Sequence, residues 1–363
     1  MLHLGYQAYD FLIPSPLGKR PELRTGFLYG VTAADSKAWG YADWFLWPEL
    51  GDPEPAKLQT LCGGVAGEYL SRHANPQGGS FPLASAEDIF SLCLKPLVTI
   101  TFHEEVLCGT WAQVVQEWER AFKPYASWLL PAGKGRETFW HILTNALQCF
   151  LEKEEIQKFW RRRAWPTSHW LVRHLMDASG GGIDIKNRVA HHVYAVKVKL
   201  KPQEAELAQE VFAQWLQQEP QLKLRLDFNA QWTEEQVWSW VKSLQDVVKN
   251  AIEWIEDPCP WSLEAWQKLN AEVPLGVDWV LDPLSPEWAE AAKKRAFRFG
   301  VWKPSRQSPL IFAHWPAEIE VLVTTQLGHA WDWYWTAWSY ERLKRVYPHF
   351  SVNPILGLST WDS

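Results

Sequence analysis

The five cysteines of this sequence (Cys62, Cys93, Cys108, Cys149 and Cys259) are few, odd in number and widely spaced, and no two form a C-x-x-C pair. That pattern excludes a disulfide framework or a zinc ribbon and matches how reduced cytosolic proteins use cysteine. A basic surplus is missing too. The 36 Lys plus Arg stand against 42 Asp plus Glu, a net charge of −6, and the pI is near 6.0. Neither nucleic acid nor an anionic membrane surface is therefore an expected partner. No apolar run reaches the ~18–20 residues of a membrane span. The N-terminal MLHLGYQAYDFLIPSP lacks the basic n-region of a secretory signal, so a soluble, cytoplasmic protein is expected. The sequence also has no G-x-S-x-G elbow, Walker loop or Cys–His arrangement. Its Gly180-Gly181-Gly182 run sits outside any G-x-G-x-x-G context, which argues against a nucleotide cradle.

What is present is the balance of an ordinary globular protein: 363 residues, 47% hydrophobic and 21% charged. This excludes disorder, collagen and coiled coil, and it supplies a large core. At ~150 residues per domain the length fits two domains or one large α/β barrel. Tryptophan is abundant, at 26 residues. It is spread over helical and strand positions alike, so it reads as core filling rather than as a ligand-binding cluster.

From about residue 190 an apolar strand-like run, a polar residue, a short loop and an amphipathic helix recur. The strand candidates are 193–200, 222–228, 251–257, 273–280, 296–303 and 319–325. Between them Leu207, Val211 and Trp215 share one helix face, and Val237, Val241, Leu244 and Val248 share another. Thr233-Glu234-Glu235-Gln236 fits a capping box, and Ser285-Pro286 sets an N-cap before proline. Such alternation predicts parallel βα units, in a barrel or a doubly wound sheet. Residues 1–165 lack the rhythm. FLIPSP, RTGFLYGV and AWGYADWFLW predict an antiparallel meander with turns at Pro14-Ser15-Pro16 and near Ala34-Asp35; helices follow around 111–124, 136–152 and 154–163. We expect an N-terminal α+β domain (1–165) and a barrel domain (166–363) whose first strand is TSHWLVR, 167–173.

Five successive strands end in an ionisable residue: Lys199, Asp227, Glu256, Asp278 and Lys303, spaced 28, 29, 22 and 25 residues apart. Each spacing is about one βα unit, and in a barrel the C-terminal strand ends converge on one mouth. Three carboxylates there repel unless a cation sits among them. All-oxygen ligands without His or Cys select Mg²⁺, with Mn²⁺ the substitute. A lysine beside a metal and a second lysine has its ammonium form disfavoured and can act as a base. The set suits proton removal α to a carboxylate, so the expected partner is a small-molecule carboxylate. A monomer is compatible with all of this.

These segments resemble the enolase superfamily. VKVKL supplies a K-x-K motif, and LRLDFNAQW is similar to R-x-D-x-N-x-x-W. WIEDP is similar to E-E-P, VPLGVDW to the third metal-ligand strand, and VWKPS to I-K-P. The set resembles the muconate-lactonizing subgroup and, within it, the o-succinylbenzoate synthases. That second likeness also draws on Ile13-Pro14, Leu23-Arg24-Thr25, Trp39-Gly40 and GLSTWD (357–362). The resemblance covers roughly residues 5–50 and 167–363. It implies an α/β fold: a (β/α)₇β TIM-like barrel under an N-terminal α+β capping domain. The implied reaction is Mg²⁺-dependent syn dehydration of 2-succinyl-6-hydroxy-2,4-cyclohexadiene-1-carboxylate to o-succinylbenzoate, on the way to menaquinone. Carried over by position, Lys199 removes the α-proton and returns it to the departing hydroxide, and Lys303 stabilises the enediolate. Asp227, Glu256 and Asp278 hold the metal, and Lys197, Arg225 and Asn229 place the base and a metal ligand.

The chain departs from the family pattern at Asp257, Trp279, Gly40-Tyr41 and Val323-Thr324-Thr325. Thr324 and Thr325 stand where substrate tails are read. Lys19, Arg20 and Arg24 fall in the loop expected to close over the mouth, where they are solvated charges or ligands for a succinyl carboxylate. His103-Glu104-Glu105 lacks the second His of a zinc motif. His191-His192 and His329 read as loop or helix-end residues. The same two lysines would also serve racemisation of N-succinylamino acids or epimerisation of dipeptides. A non-catalytic Trp-rich binding protein would have lost part of the catalytic set, which is intact.

Overall fold

The computed structural model describes residues 1–13, 22–48, 51–61, 94, 98–162, 167–172, 175, 195–325 and 330–357. The first three strands, β1 (Leu2–Ile13), β2 (Glu22–Ala33) and β3 (Gly40–Phe45), form the expected meander, with the turn at Ala34-Asp35. The structure adds two features to the prediction. β1 begins at Leu2 rather than at FLIPSP, and a short β4 (Val98–Ile100) pairs with its free edge, giving the order β3-β2-β1-β4. The predicted turn at Pro14-Ser15-Pro16, the 165/166 boundary and Gly180–Gly182 lie outside the described residues.

After α1 (Pro55–Leu61) come α2 (Trp111–Phe122), α3 (Lys134–Leu151) and α4 (Lys153–Arg161), close to the predicted spans. Helix α3 is buried all round from Thr138 to Phe150, as an internal helix must be. One side meets the meander core around Phe27, Tyr29 and Trp44. At Gly40 the backbones nearly touch: a Cβ there would lie 2.1 Å from Phe150 N and 2.4 Å from Ala146 O. Only glycine permits that approach.

The second unit is a seven-stranded parallel sheet, ordered β11-β10-β9-β8-β7-β6-β5. Its strands are β5 (Trp170–Val172), β6 (Ala195–Lys199), β7 (Lys223–Asp227), β8 (Ile252–Glu256), β9 (Leu275–Val277), β10 (Phe299–Trp302) and β11 (Glu320–Val323). All seven fall inside the predicted runs. Between them lie α5 (Ala205–Gln218), α6 (Glu234–Ser243), α7 (Asp246–Ala251), α8 (Leu263–Asn270) and α9 (Pro286–Lys293), with α10 (Ala330–Val346) after β11. The sheet curls, and residues 351–357 bridge its two edges. His169 N donates to Leu356 O (3.0 Å) and Leu356 N to Thr167 O (2.8 Å) on one side; Gly357 N donates to Val323 O (2.9 Å) on the other.

The cap predictions are matched in detail. Thr233 Oγ1 accepts from Gln236 N while Gln236 Oε1 accepts from Thr233 N, and Ser285 accepts from Trp288 N with Pro286 at the first helical turn. The shared face through Val248 is corrected, because it belongs to two helices. Leu244 is extended, and Ser243 Oγ donates to Trp240 O (2.8 Å), an intrahelical carbonyl. Seven of the twelve largest fully buried side chains are tryptophans, which bears out core filling; Trp238 and Trp279 are exposed. No described helix is long and apolar enough to cross a membrane.

The two units meet through an aromatic layer in which Trp39 and Tyr41 face Trp160, Trp331 and Trp335. Polar contacts then fix the loop after β10. Asn145 Nδ2 (2.6 Å) and Trp335 Nε1 (3.1 Å) both donate to Pro304 O, Ser308 N donates to His141 Nδ1 (3.1 Å), and Arg306 pairs with the buried Asp52 (2.6 Å). The His141 ring stacks on Trp111 with centroids 3.8 Å apart. Burial, then the charge of Arg306, pushes the His141 pKa down to about 3. Since that lies below the ~6.5 of an unfolded histidine, only the unfolded chain takes up this proton as pH falls, and stability is lost across that window. Urea unfolding of His141→Gln should therefore lose less stability than wild type between about pH 7 and pH 4; equal slopes would refute this account.

Candidate active site

Parallel register assembles the site. Lys199 pairs with Asp227 and Asp227 with Glu256, so the ends of β6, β7 and β8 are level. Glu256 pairs with Gly276, two residues before Asp278, and β10 runs beside β9 into Lys303. All five residues line one cavity of about 530 Å³ together with Lys197, Asn229 and Thr324. With eight positions around the curl, counting 351–357, β6 and β10 stand on opposite walls.

The lysines divide their work. Lys197 is buried and bridges Glu256 Oε1 (2.6 Å) and Asp227 Oδ2 (3.1 Å). Lys199, one layer higher and more exposed, lies 3.5 Å from Asp227 Oδ2. Lys303 pairs with Asp278 from the other side. Burial alone would raise the Asp227 carboxyl, but Lys197, Lys199 and Lys303 hold it ionised, below its ordinary range. Burial also disfavours the Lys197 ammonium, yet Asp227, Glu256 and Asp278 keep it protonated, above its usual value. Glu256 is pushed up to about 7 by burial and by the charges of Asp227 and Asp278, against the pull of Lys197.

The loops beyond the strands are held as firmly. Asn229 N donates to Asp227 Oδ1 (3.1 Å), and Trp232, stacked on Phe228, ties its Nε1 to Leu200 O (2.9 Å) next to Lys199. Asp257 is fully buried and accepts from Asp278 N (3.0 Å) and Trp279 N (3.2 Å), fixing the turn that presents Asp278. Burial, then Asp278 and Glu256, raises its carboxyl well above the ordinary range. Asn229, Ala230 and Asp257 all take positive φ, at 48°, 52° and 44°. Such strain is held only where the surroundings over-determine it.

Two residues stand differently from their prediction. Arg225 does not touch Lys199 or Asp227. It lies in the floor, bonded to Glu253 Oε2 (2.9 Å), His169 Nδ1 (3.0 Å), Asn353 Oδ1 (2.8 Å) and Ile355 O (3.0 Å), and stacked on Trp254 at 4.1 Å. An irregularity in the β7–β8 register at Leu224/Arg225 leaves Glu253 without a partner in the ladder, free to meet it. Arg24 is within β2 rather than a loop, opposite Phe11, and its guanidinium stacks at 4.3 Å on Trp47, which lines the cavity. Thr324 and Thr325 both line the cavity, as expected; the Thr325 hydroxyl donates to Gly357 O (3.1 Å), whereas Thr324 Oγ1 is buried without a hydrogen-bond partner. Lys19, Arg20, His191, His192, His329 and residues 358–362 lie outside the described residues. His103-Glu104-Glu105 leads into a turn of 3₁₀ helix, Glu104–Cys108.

Sequence reasoning missed His169, Trp47 and Arg306, all in the cavity wall. For His169 a signal existed, since it is two residues from Leu171 and so on the same strand face.

Among the described residues no three His, Cys, Asp or Glu side chains stand close enough together to hold a metal ion as placed. Each of the three site carboxylates instead leans on a lysine. Yet Glu256 Oε2 is buried without a hydrogen-bond partner, beside two further carboxylates. A hard cation would satisfy that oxygen, and Asp227, Glu256 and Asp278 supply the donors such an ion takes.

Residues 184–298 match the family described as enolase C-terminal domain-like. No curated protein matches the chain. Among solved structures, a mandelate racemase/muconate lactonizing enzyme from Roseiflexus sp. is 15% identical, with TM-score 0.57 over 92% of this chain and 83% of that one. MenC from Desulfotalea psychrophila LSv54 is 14% identical, TM-score 0.56, over 93% and 91%. The o-succinylbenzoate synthase from Thermosynechococcus elongatus BP-1, complexed with Mg in its active site, is 15% identical, TM-score 0.54, over 98% and 92%. The family match is thus confined to residues 184–298, and the solved structures show that the chain shares their α/β, TIM-barrel-like fold.

Removing the Lys197 ammonium should leave Glu256 and Asp227 as uncompensated buried neighbours. We expect Lys197→Ala to cost the metal-free protein about 3–5 kcal/mol in urea unfolding, and Lys199→Ala, exposed and farther away, under about 1 kcal/mol. Similar losses in both would contradict the division of roles.

Proposed function

We propose that the chain is an enolase-superfamily lyase, an o-succinylbenzoate synthase, with residues 166–363 as a (β/α)₇β barrel and residues 1–165 as its cap. The observation that carries the reading is the convergence of Lys199, Asp227, Glu256, Asp278 and Lys303 on one cavity, with the lysines on opposite walls. Lys199, the more exposed lysine and free to approach a ligand, takes the proton α to the substrate carboxylate and returns it to the departing hydroxide from the same face. Lys303 stays protonated opposite and balances the enediolate charge as it develops. Asp227, Glu256 and Asp278 would hold Mg²⁺, or Mn²⁺ in its place, which when bound supplies Lewis-acid stabilisation of the carboxylate. Lys197, bridging Asp227 and Glu256, keeps Asp227 ionised and opposes the upward push on Glu256, and Asn229 fixes Asp227. Arg225 acts from below as the brace of the barrel floor. Thr324 offers a buried hydroxyl to the substrate tail, and Arg24 sets the tilt of Trp47 over the mouth.

The resemblance in K-x-K, R-x-D-x-N-x-x-W and the strand-six lysine supports this reading, as does the fold shared with MenC and the Thermosynechococcus synthase. A small-molecule carboxylate is the partner, and a cytoplasmic enzyme of menaquinone synthesis is the setting. Racemisation of N-succinylamino acids is the second reading, favoured by the two opposed lysines.

The test follows aromatisation of 2-succinyl-6-hydroxy-2,4-cyclohexadiene-1-carboxylate by ultraviolet absorbance with Mg²⁺. Turnover should disappear with chelator and fall about 10³-fold or more in Lys199→Ala and Lys303→Ala. No turnover by the folded, Mg²⁺-loaded protein, combined with α-proton exchange of N-succinylamino acids in D₂O, would replace the synthase by the racemase.

A further inference from the structure

His169 lies just ahead of β5, is 3% exposed, and lines the floor of the cavity. Its Nδ1 is 3.0 Å from Arg225 Nη1. A guanidinium has five donors and no acceptor, so that contact exists only if Nδ1 carries a lone pair. The ring proton must then sit on Nε2, at the opposite edge of the imidazole. Arg225 is itself immobilised by Glu253, Asn353 and Ile355 O, and a Cβ at Gly357 would already come within 3.0 Å of His169 Cε1. The guanidinium is held by these partners, and the ring packs beside Gly357, where only a glycine leaves it space. Burial opposes a second ring proton, and so do the charges of Arg225 and Lys197, against the single carboxylate of Asp227.

We propose that His169 is a fixed, neutral hydrogen-bond donor in the cavity floor, its Nε2–H directed at an anionic oxygen of the carboxylate substrate. The tautomer stands on the contact with Arg225 alone; the choice of ligand rests on the function proposed above. With its proton pinned on Nε2, His169 binds and orients without exchanging protons. It thus adds a neutral donor to a cavity whose lysines and carboxylates carry charge.

The experiment is a long-range ¹H–¹⁵N correlation spectrum of the uniformly labelled full chain, with His169 assigned by its loss in His169→Gln. A protonated Nε2 and bare Nδ1, unchanged from about pH 6 to 8.5, are expected. An Nδ1–H tautomer, or a ring that titrates in that range, overturns the proposal. Adding o-succinylbenzoate with Mg²⁺ should then shift the Nε2–H signal. If o-succinylbenzoate does not bind, the synthase reading fails while the tautomer stands, and the shift is read with N-succinylphenylglycine; a ring moved by neither compound overturns the donor role. In kinetics, His169→Leu should lower kcat/KM about 10- to 100-fold, with His169→Gln, which keeps an N–H donor, recovering most of it. Equal losses in the two variants would mean that the ring only fills space.

Discussion

Three carboxylates delivered to one end of a parallel sheet repel one another, and much of the surrounding structure answers that repulsion. At an effective dielectric near 20, two like charges ~4 Å apart would cost about 4 kcal/mol. Lys197 bridges two of the acids from within the barrel, Lys303 draws the third aside, and Lys199 stands over the first. The compensation is incomplete at Glu256. Its pKa stays up near 7 and one of its oxygens has no partner. A site left short of positive charge in this way has a buried oxygen that a cation would satisfy.

Holding those charges in place requires rigidity above and below them. Above, the loop that follows Lys303 is tied to the N-terminal unit through Asn145, His141 and Asp52, so the two units are coupled through the residue next to the lysine itself. Beyond β9, the buried Asp257 grips the backbone amides of Asp278 and Trp279. Below, Arg225 links β7 and the bulged β8 to residues 353–355, which bridge the edges of the sheet. A buried arginine with a full set of partners specifies geometry more than it adds stability. Here it closes the curl and fixes the orientation of His169.

The fold is common to enzymes of different activity at 14–15% identity. Fold therefore leaves the reaction open, and what can distinguish one activity from another is the cavity wall. That wall carries Trp279, exposed at the mouth, together with Trp47, Arg306 and Thr324.

The strands, their order of polar ends and the helix caps were legible in the chain. Period-two apolar runs and N-cap chemistry are local, and parallel strands repeating every 22–29 residues align their ends by connectivity alone. The five cavity residues followed from the same regularity. Contacts set by distant segments were not legible. Arg225 shares a strand face with Asp227, yet a register irregularity and residues 353–355, some 130 positions away, carry its side chain to the floor. Helix α3, predicted only as a helix over 136–152, becomes internal because two units close over it, and Gly40 is required by that approach. The partner of each lysine, the orphaned oxygen of Glu256 and the proton position of His169 depend on distances between side chains on different strands, which only the folded chain brings together.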